Sequence, residues 1–383
     1  MTYSRKAVLA ASTLVLSVMT ADYAFAQDAT ISVGGRVMID YTIADLDTPD
    51  STINANEVRR ARLFAKGKYG DTVSYKFELN HATGGGIVLT DGYVQFAPKN
   101  TPIKIKVGQF KTHNSLDELT SSRFTSTIER SAVTDAFALD RRAGVAVNFS
   151  GDNFGFDVGA FGTNVDSDGA PEEGNAFSAR GFYNPIKTSD TTAHIGASWR
   201  YRSIGDTAQE LPDGDGLLRY RQRPYTHVAP DRIINTGRFA ESDNLFMGEA
   251  AFLQDNFWAA AEYSVLNAKG SGMNEDADFS GGYLEAGMMI GGKRTYKGGK
   301  FDRPKVDSPV GSGGMGALAL VARYDTIDVQ DGPYLGKLDT IILGVDWWAT
   351  KQTRLALNYF DADAENGSAE SASGVVGRLS LDF

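Results

Sequence analysis

The feature that most constrains this chain is an alternation of apolar and polar residues that recurs in segments of roughly ten residues. Segment 73–81 reads V-S-Y-K-F-E-L-N-H, so its first, third, fifth and seventh residues form an apolar face and the residues between them a polar face. Segment 191–202 repeats the pattern around Trp199 and Tyr201. A soluble sandwich would explain either segment alone, but not the whole set.

Sixteen segments of this kind are candidate strands. They lie near residues 31–42, 57–69, 73–81, 87–97, 103–110, 142–150, 154–163, 177–184, 191–202, 243–253, 257–266, 279–290, 316–328, 338–349, 353–361 and 374–383. Single-chain bacterial barrels have an even number of strands, which places both chain ends on the periplasmic side. The pattern therefore predicts an all-β fold, a transmembrane antiparallel β-barrel of about 16 strands in the outer membrane.

The connections between these segments support the same topology. Short turns at 70–72, 151–153, 254–256 and 350–352 alternate with longer polar loops, as expected for periplasmic and external sides. One connection departs from this rule, because residues 291–315 are long and basic although the count places them in the periplasm. Either the count is wrong there or this segment lines the inner mouth of a pore.

The two chain ends indicate export to the outer membrane. Residues 1–26 combine Arg5 and Lys6, an apolar run and the sequence Ala24-Phe25-Ala26, which together are typical of a signal peptide. The apolar run is shorter than the roughly 20 residues that a membrane-spanning helix needs. We expect a signal peptide at 1–26 and one barrel domain at 27–383. The final alternating segment ends on Phe383, which resembles the signal that outer-membrane proteins present to the barrel assembly machinery.

The charge pattern separates the inside of the predicted barrel from its outside. A charged side chain at the bilayer midplane costs about 2–4 kcal/mol, so charged strand residues should face the lumen. The inward cations would include Arg36, Arg60, Arg62, Lys76, Lys104, Lys106 and Arg142, and the inward acids Glu78, Asp91, Glu249 and Glu262. The whole chain has a net charge of −10, so the remaining acid is expected in external loops at 45–50, 166–173 and 361–365.

A lumen that leans basic favours anions over cations. The alternative is that inward arginines and aspartates simply pair to fill a closed interior. The acidic balance of the chain gives no indication of nucleic-acid binding, and zero cysteines exclude disulfides.

Two long connections carry further charge. Roughly thirty residues between Val107 and Arg142 mix Lys111, Arg123 and Arg130 with acids such as Glu118, and we interpret them as a charged loop folded into the barrel mouth. Between Ser203 and Ser242, the sequence Arg219-Tyr-Arg221-Gln-Arg223 places three arginines about 6.6–7 Å apart on one face of an extended segment. An oxyanion could pass from one guanidinium to the next if this loop dips inward. A solvated loop face is the alternative.

The order of several short motifs resembles the phosphate-selective porins O and P of Gram-negative outer membranes. The motifs are G-G-R at 34–36, V-R-R-A-R at 58–62, Y-K-F-E at 75–78, T-D-G-Y at 90–93, V-G-Q-F-K at 107–111, L-T-S-S-R at 119–123, E-R-S at 129–131, R-Y-R-Q-R-P at 219–224 and the basic segment 293–305.

The resemblance implies a sixteen-stranded trimeric barrel whose third loop narrows the channel and whose arginine ladder leads to a binding site. Ladder and constriction positions of the family match Arg36, Arg59, Arg60, Arg130, Arg219, Arg221 and Arg223, and the constriction itself matches Asp91, Ser121 and Ser122. The chain departs from the phosphate-binding pattern near Glu118, where a lysine is expected, and at Arg123, which replaces another lysine. An acid at this position should weaken a site for a dehydrated anion.

Other chemistries have little support. His113 and Ser115 are too close in sequence to form a Ser-His pair readily, so no catalytic residues and no enzyme activity are expected. The G-x-G-x-x-G pattern at 311–316 lacks the preceding strand and following helix of a nucleotide site. Four scattered histidines do not suggest a metal site, and no cofactor is expected.

We therefore predict a passive outer-membrane channel for small anions, with phosphate or polyphosphate as the leading solute. A general or organic-acid diffusion porin is the nearest alternative, and a barrel that mainly anchors the envelope, with its third loop plugging the lumen, is the structural one. The expected partners are small anionic solutes, outer-membrane lipid and lipopolysaccharide, the barrel assembly machinery and two further copies of the chain in a homotrimer.

Overall fold

The computed structural model describes residues 29–47, 52–81, 85–165, 174–205 and 216–383. Sixteen antiparallel strands follow one another around a closed barrel in sequence order, and the first pairs with the last from Arg36 opposite Asp382 to Leu46 opposite Ala372. The predicted fold class and strand number are confirmed. The predicted signal peptide and the acidic run at 166–173 lie outside the described residues and stay predictions.

The first nine barrel strands are β1 (Ala29–Leu46), β2 (Thr52–Tyr69), β3 (Val73–His81), β4 (Ile87–Phe96), β5 (Ile103–Lys111), β6 (Arg141–Ser150), β7 (Phe154–Phe161), β8 (Ala176–Lys187) and β9 (Thr191–Ser203). The external connection after β9 contains a two-residue pair, β10 (Arg221–Gln222) and β11 (Ile234–Asn235). The barrel continues with β12 (Ala240–Gln254), β13 (Phe257–Gly270) and β14 (Ala277–Ile290).

The connection after β14 forms a separate hairpin, β15 (Gly292–Tyr296) and β16 (Phe301–Val306), which we call the inner hairpin. The last barrel strands are β17 (Ala317–Asp328), β18 (Lys337–Trp348), β19 (Thr353–Glu365) and β20 (Ser371–Asp382). Two short helices, α1 (Leu116–Leu119) and α2 (Ala132–Phe137), lie in the connection between β5 and β6, residues 112–140, which we call loop 3. Among the described residues, no helix is long and apolar enough to cross a bilayer.

The alternation of each strand separates the two faces of the barrel wall as predicted. Phe77, Val94, Ile195 and Leu343 are each about half exposed on the outside, where lipid would cover them, while their polar neighbours face the interior. Most of the aromatic residues at strand ends are likewise exposed, among them Tyr41, Tyr69, Phe96 and Trp347. Apolar residues therefore form the outer band of this barrel rather than its centre.

One prediction about the external acids was wrong. Residues 361–365 form the end of β19 instead of a loop, because their ladder with β20 continues to Asp363 opposite Ser371. Asp361 and Asp363 are exposed there, and Ala362 between them is buried. The pairing of two strands extends further than the hydrophobic pattern indicates.

Candidate functional site: the barrel lumen

Loop 3 folds into the barrel and is held there by hydrogen bonds to one part of the wall. The carboxylate of Glu262 accepts from the backbone N–H groups of Leu116 (2.6 Å) and Asp117 (2.8 Å), and that of Asp325 accepts from Ala132 (2.9 Å). A wall carboxylate thus meets the N-terminus of each loop helix, where free N–H groups favour negative charge.

The middle of loop 3 is held by further wall side chains. Arg354 donates to the carbonyl of Thr125 (2.9 Å), Arg378 to that of Ile128 (2.6 Å), and Asn358 accepts from Ile128 N (2.7 Å). Sequence alone indicates that these side chains face inward, but not that they hold the loop.

The described residues enclose two large cavities in the lumen, one on each side of loop 3. The outer cavity, of about 390 Å³, opens toward the external loops and contains Arg223 and Arg232 in its lining. The inner cavity, of about 410 Å³, opens toward the periplasm and contains Lys300 of the inner hairpin. Both are lined by Arg36, Lys111, Ser121 and Arg141, so these four side chains mark the boundary between them.

Most of the residues predicted for the site lie in these linings. The outer cavity contains Arg36, Arg59, Arg60, Arg62, Lys111, Ser121, Ser122, Arg130 and Arg223, and the inner cavity adds Asp91 and Arg123. Two irregularities in strand pairing turn consecutive residues inward. Met38 pairs with Arg60 and Ile39 with Val58, so Arg59 between them is an extra, unpaired residue of β2. In the same way Glu78 pairs with Asp91 and Leu79 with Leu89, so Thr90 is an extra residue of β4.

Three predicted residues do not line either cavity. Arg142 donates to the carbonyl of Gly162 (2.7 Å), and Arg141, which the alternation does not select, takes the position at the boundary. β5 and β6 pair without a register shift from Ile103 opposite Phe149 to Lys111 opposite Arg141, so Arg141 lies beside Lys111, which also lines both cavities. Arg219 and Arg221 lie beyond the outer cavity lining, on the half-exposed face of their segment.

The segment that carries the external arginines is firmly anchored. Tyr220 is fully buried, packs edge-on against Phe137 of α2 and donates to Asp243 (2.7 Å). Asp243 also pairs with Arg200 and Arg202 on the wall. Because Tyr220 and Gln222 are buried, Arg219, Arg221 and Arg223 project from the opposite face, as their spacing predicts.

The arginines of this segment lie close enough to affect one another. Burial, followed by the nearby charges of Arg219, Arg232 and Arg223, lowers the pKa of Arg221. Among the described residues, the guanidinium of Arg221 has no hydrogen-bond or ion-pair partner. This surface is therefore a concentration of positive charge above the outer cavity.

At the boundary between the cavities, by contrast, almost every cation has a carboxylate. Glu78 binds Arg36 (3.2 Å), Arg62 (3.0 Å) and Lys76 (3.0 Å). Asp91 binds Lys76 (2.5 Å) and Arg141 (2.7 Å). Arg36 also donates to Ser122 Oγ (3.1 Å) and lies 3.5 Å from Ser121 Oγ.

Acids on loop 3 complete this compensation. Arg59 holds Glu129 through two nitrogens, at 2.9 and 3.0 Å. Burial alone would raise the pKa of Glu129, but the neighbouring charges of Arg59 and Arg378 hold this pKa well below its usual range. Burial would also raise the pKa of Asp140, but the nearby charges of Arg141 and Lys111 lower it. These carboxylates are therefore ionised at neutral pH.

The inner cavity has a different charge pattern, which sequence analysis identified only in part. Lys106 lies over the rings of Tyr93 (4.8 Å) and Phe110 (4.9 Å). Within the described part of the chain, neither Lys104, Lys106 nor Lys300 has a carboxylate within 4 Å. The inner cavity therefore holds three lysines with no acid partner.

The inner hairpin resolves the ambiguity over residues 291–315. The strand count is correct, and the hairpin folds into the inner mouth of the barrel. Tyr296 lies 2.6 Å from His194 Nδ1, and Arg180 donates to the carbonyl of Gly299 (2.6 Å). Arg294, stacked on Phe301 (4.1 Å), donates to the carbonyl of Phe124 in loop 3 (2.8 Å).

The sequence of this chain is similar to a protein family and to individual proteins. Residues 31–383 match the family described as phosphate-selective porin O and P. Over 410 residues the chain is 26% identical to Porin O of Pseudomonas aeruginosa, covering 96% of this chain and 91% of that protein. It is 32% identical over 380 residues to an uncharacterized protein of Caulobacter vibrioides, covering 93% of this chain and 74% of that protein.

Solved structures share the fold at low sequence identity. OmpT of Vibrio cholerae aligns over 94% of this chain and 99% of its own, with a TM-score of 0.61 and 9% identity. An anion-selective porin from Comamonas acidovorans aligns over 93% of this chain and all of its own, with a TM-score of 0.59 and 13% identity. The closed barrel and the family match identify a multi-pass β-barrel of the outer membrane. This chain belongs to the phosphate-selective porin O and P family.

Proposed function

We propose that this porin is a passive channel that favours small anions, with inorganic phosphate or polyphosphate as the leading solute. The observation that carries the proposal is the distribution of cations without acid partners among the described residues. Arg221 lies above the outer cavity, Arg60 lines it, and Lys106 lies in the inner cavity. Such charges lower the electrostatic barrier for anions and raise it for cations.

The mechanism is a stepwise replacement of water around the anion. Guanidinium groups offer paired N–H donors that match the oxygens of phosphate, and three of them follow one another on the external segment. At the boundary, Arg36 and the hydroxyl groups of Ser121 and Ser122 offer further donors. Each contact must remain weak enough for the anion to leave, because conduction requires exit as well as entry.

A general or organic-acid diffusion porin is the second candidate, and the charge balance at the boundary favours it. Glu78, Asp91 and Glu118 already occupy the cations that a dehydrated phosphate would use. A channel of this kind would still lean toward anions, but phosphate would not block it. The third candidate is a barrel that mainly anchors the envelope, with loop 3 as a plug.

The proposal extends to assembly and to the absence of catalysis. A trimer form of OmpT from Vibrio cholerae shares the barrel fold, which supports a homotrimer for this chain. Outer-membrane lipid and lipopolysaccharide would contact the exposed apolar band, and Phe383 would engage the barrel assembly machinery.

We assign no catalytic residues, no metal and no cofactor, and all fourteen predicted site residues remain candidates for contact with the solute.

The test is an electrical measurement on the purified porin in a planar bilayer. The reversal potential in a KCl gradient gives the selectivity, and phosphate is then titrated into the chloride current. A chloride-selective current blocked by submillimolar phosphate would support a phosphate path. An anion-leaning or unselective current that phosphate leaves unchanged would support the general porin, and no current at all would contradict every channel function.

A further inference from the structure

Glu118 occupies a position in the lumen where a solute anion could bind. Its side chain is 5% exposed and lines the outer cavity, beside Lys111 at the boundary between the two cavities. Oε1 lies 2.7 Å from Lys111 Nζ, an ion pair without hydrogen-bond orientation, and Oε2 lies 3.3 Å from Arg130 Nε. A carboxylate between a lysine and an arginine has the charge and donor environment that a phosphate oxygen would need.

The two cations do not depend on this carboxylate for their positions. Lys111 Nζ donates to the backbone carbonyl of Glu118 (2.5 Å). Arg130 donates to the carbonyl of Thr120 (2.7 Å) and to that of Asp117. Because these acceptors belong to the backbone, they remain when the side chain at position 118 changes.

The backbone of α1 is also held independently of the Glu118 carboxylate. Ser115 Oγ accepts from Glu118 N (3.0 Å), and Glu262 accepts from the first two N–H groups of the helix. The spacing Ser115-x-x-Glu118 fits a capping box, but the glutamate side chain contacts Lys111 and Arg130 instead of returning to the cap. Removing its charge should therefore leave the loop in place.

We propose that the carboxylate of Glu118 acts as a tethered anion in a ready-made oxyanion site formed by Lys111 and Arg130, and so determines how weakly this channel holds phosphate. This inference rests on the proposed anion channel and deepens it. Glu118 competes with the solute for the same two cations. Neutralising it would leave Lys111 without a carboxylate among the described residues and Arg130 with only the more distant Asp117 (3.6 Å).

The experiment compares phosphate block of the chloride current in the wild-type porin and in Glu118→Gln. We expect the concentration for half block to fall about tenfold in the variant, because a negative charge is removed within a few ångströms of the incoming anion. Glu118→Ser is measured beside it, so that the outcome does not depend on the folding of one variant.

The matched control is Glu57→Gln, which removes the same charge from another buried glutamate of the lumen. Glu57, on β2, pairs with His227 (2.8 Å) in the lining of the outer cavity and makes no ion pair with Lys111 or Arg130. We expect it to change phosphate block less than about twofold. Adding Lys111→Gln to Glu118→Gln should abolish most of the gain.

The outcomes separate this inference from the proposed function. If the wild type and all variants prefer cations, the anion channel itself is wrong. If all prefer chloride and Glu118→Gln blocks no more tightly than Glu57→Gln, the channel stands and the role of Glu118 is wrong. Tighter block that survives the loss of Lys111 would also contradict the proposed site.

Discussion

Two parts of the barrel wall carry inward cations and differ in how many of these cations have an acid partner. We call β12–β14 and β17–β20 the packed wall, because loop 3 covers it, and β2–β7 the open wall, because it lines the cavities. On the packed wall, Arg323, Arg354 and Arg378 each lie 2.5–2.6 Å from a carboxylate oxygen and are almost fully buried. On the open wall, Lys104 and Lys106 have no such partner among the described residues.

The difference follows from access to water. A charge removed from water costs several kcal/mol unless a well-placed partner compensates it. On the packed wall each arginine is therefore matched by a carboxylate, and Arg354 and Arg378 also bind a loop 3 carbonyl. On the open wall Lys104 and Lys106 border a cavity instead of loop 3, so their charges can act on a passing solute.

The largest expected effect is on the packed wall. Asp40 is 2% exposed, so in Arg378→Met its carboxylate would be buried without its partner, and the carbonyl of Ile128 would lose its donor. Breaking a buried pair in this way costs about 3–5 kcal/mol of unfolding free energy. Urea titration of the porin in lipid vesicles, followed by tryptophan fluorescence, measures the loss.

The matched control for this prediction is Lys106→Met on the open wall. This substitution also replaces a cation by methionine, but Lys106 has no ion pair among the described residues. We therefore expect the free energy of unfolding to fall by less than about 1 kcal/mol. Equal losses in the two variants would show that the walls do not differ as described.

An intermediate effect is expected from the unpaired lysines of the inner cavity. Replacing Lys106 and Lys300 together by glutamine should reduce the chloride-to-potassium permeability ratio by roughly two- to fivefold, because the field in the inner cavity is weakened. The reversal potential in a KCl gradient gives this ratio. Lys297→Gln, an exposed position on the same inner hairpin outside the cavity lining, should leave it unchanged. A similar shift in both would argue against a local effect.

The smallest expected effect is at the external arginines. Arg221→Gln should lower the conductance at roughly 0.1 M salt by less than about twofold and leave it unaltered at about 1 M, where charges are screened within about 3 Å. Lys269→Gln, an exposed external lysine paired with Glu241, is the control. A loss that persisted at high salt would indicate a change in pore shape instead of attraction.

Sequence alone determined the strand number, the order of strands and which face of each strand meets lipid. These properties depend on a period of two and on a simple count, both of which are local. Sequence also indicated a charged third loop within the barrel, and a family resemblance pointed to Arg36, Asp91 and Ser122. The structure brings these last three side chains to the cavities, as expected from their positions.

The tertiary structure decided where alternation fails and which charges are paired. The extra residues at Arg59 and Thr90 move consecutive side chains into the lumen. Arg141, opposite Lys111 in the ladder of β5 and β6, lies at the boundary in place of Arg142. Whether an inward arginine stabilises the barrel or contacts a solute depends on which loop covers it, and that contact joins residues far apart in the chain, such as Ile128 and Arg378.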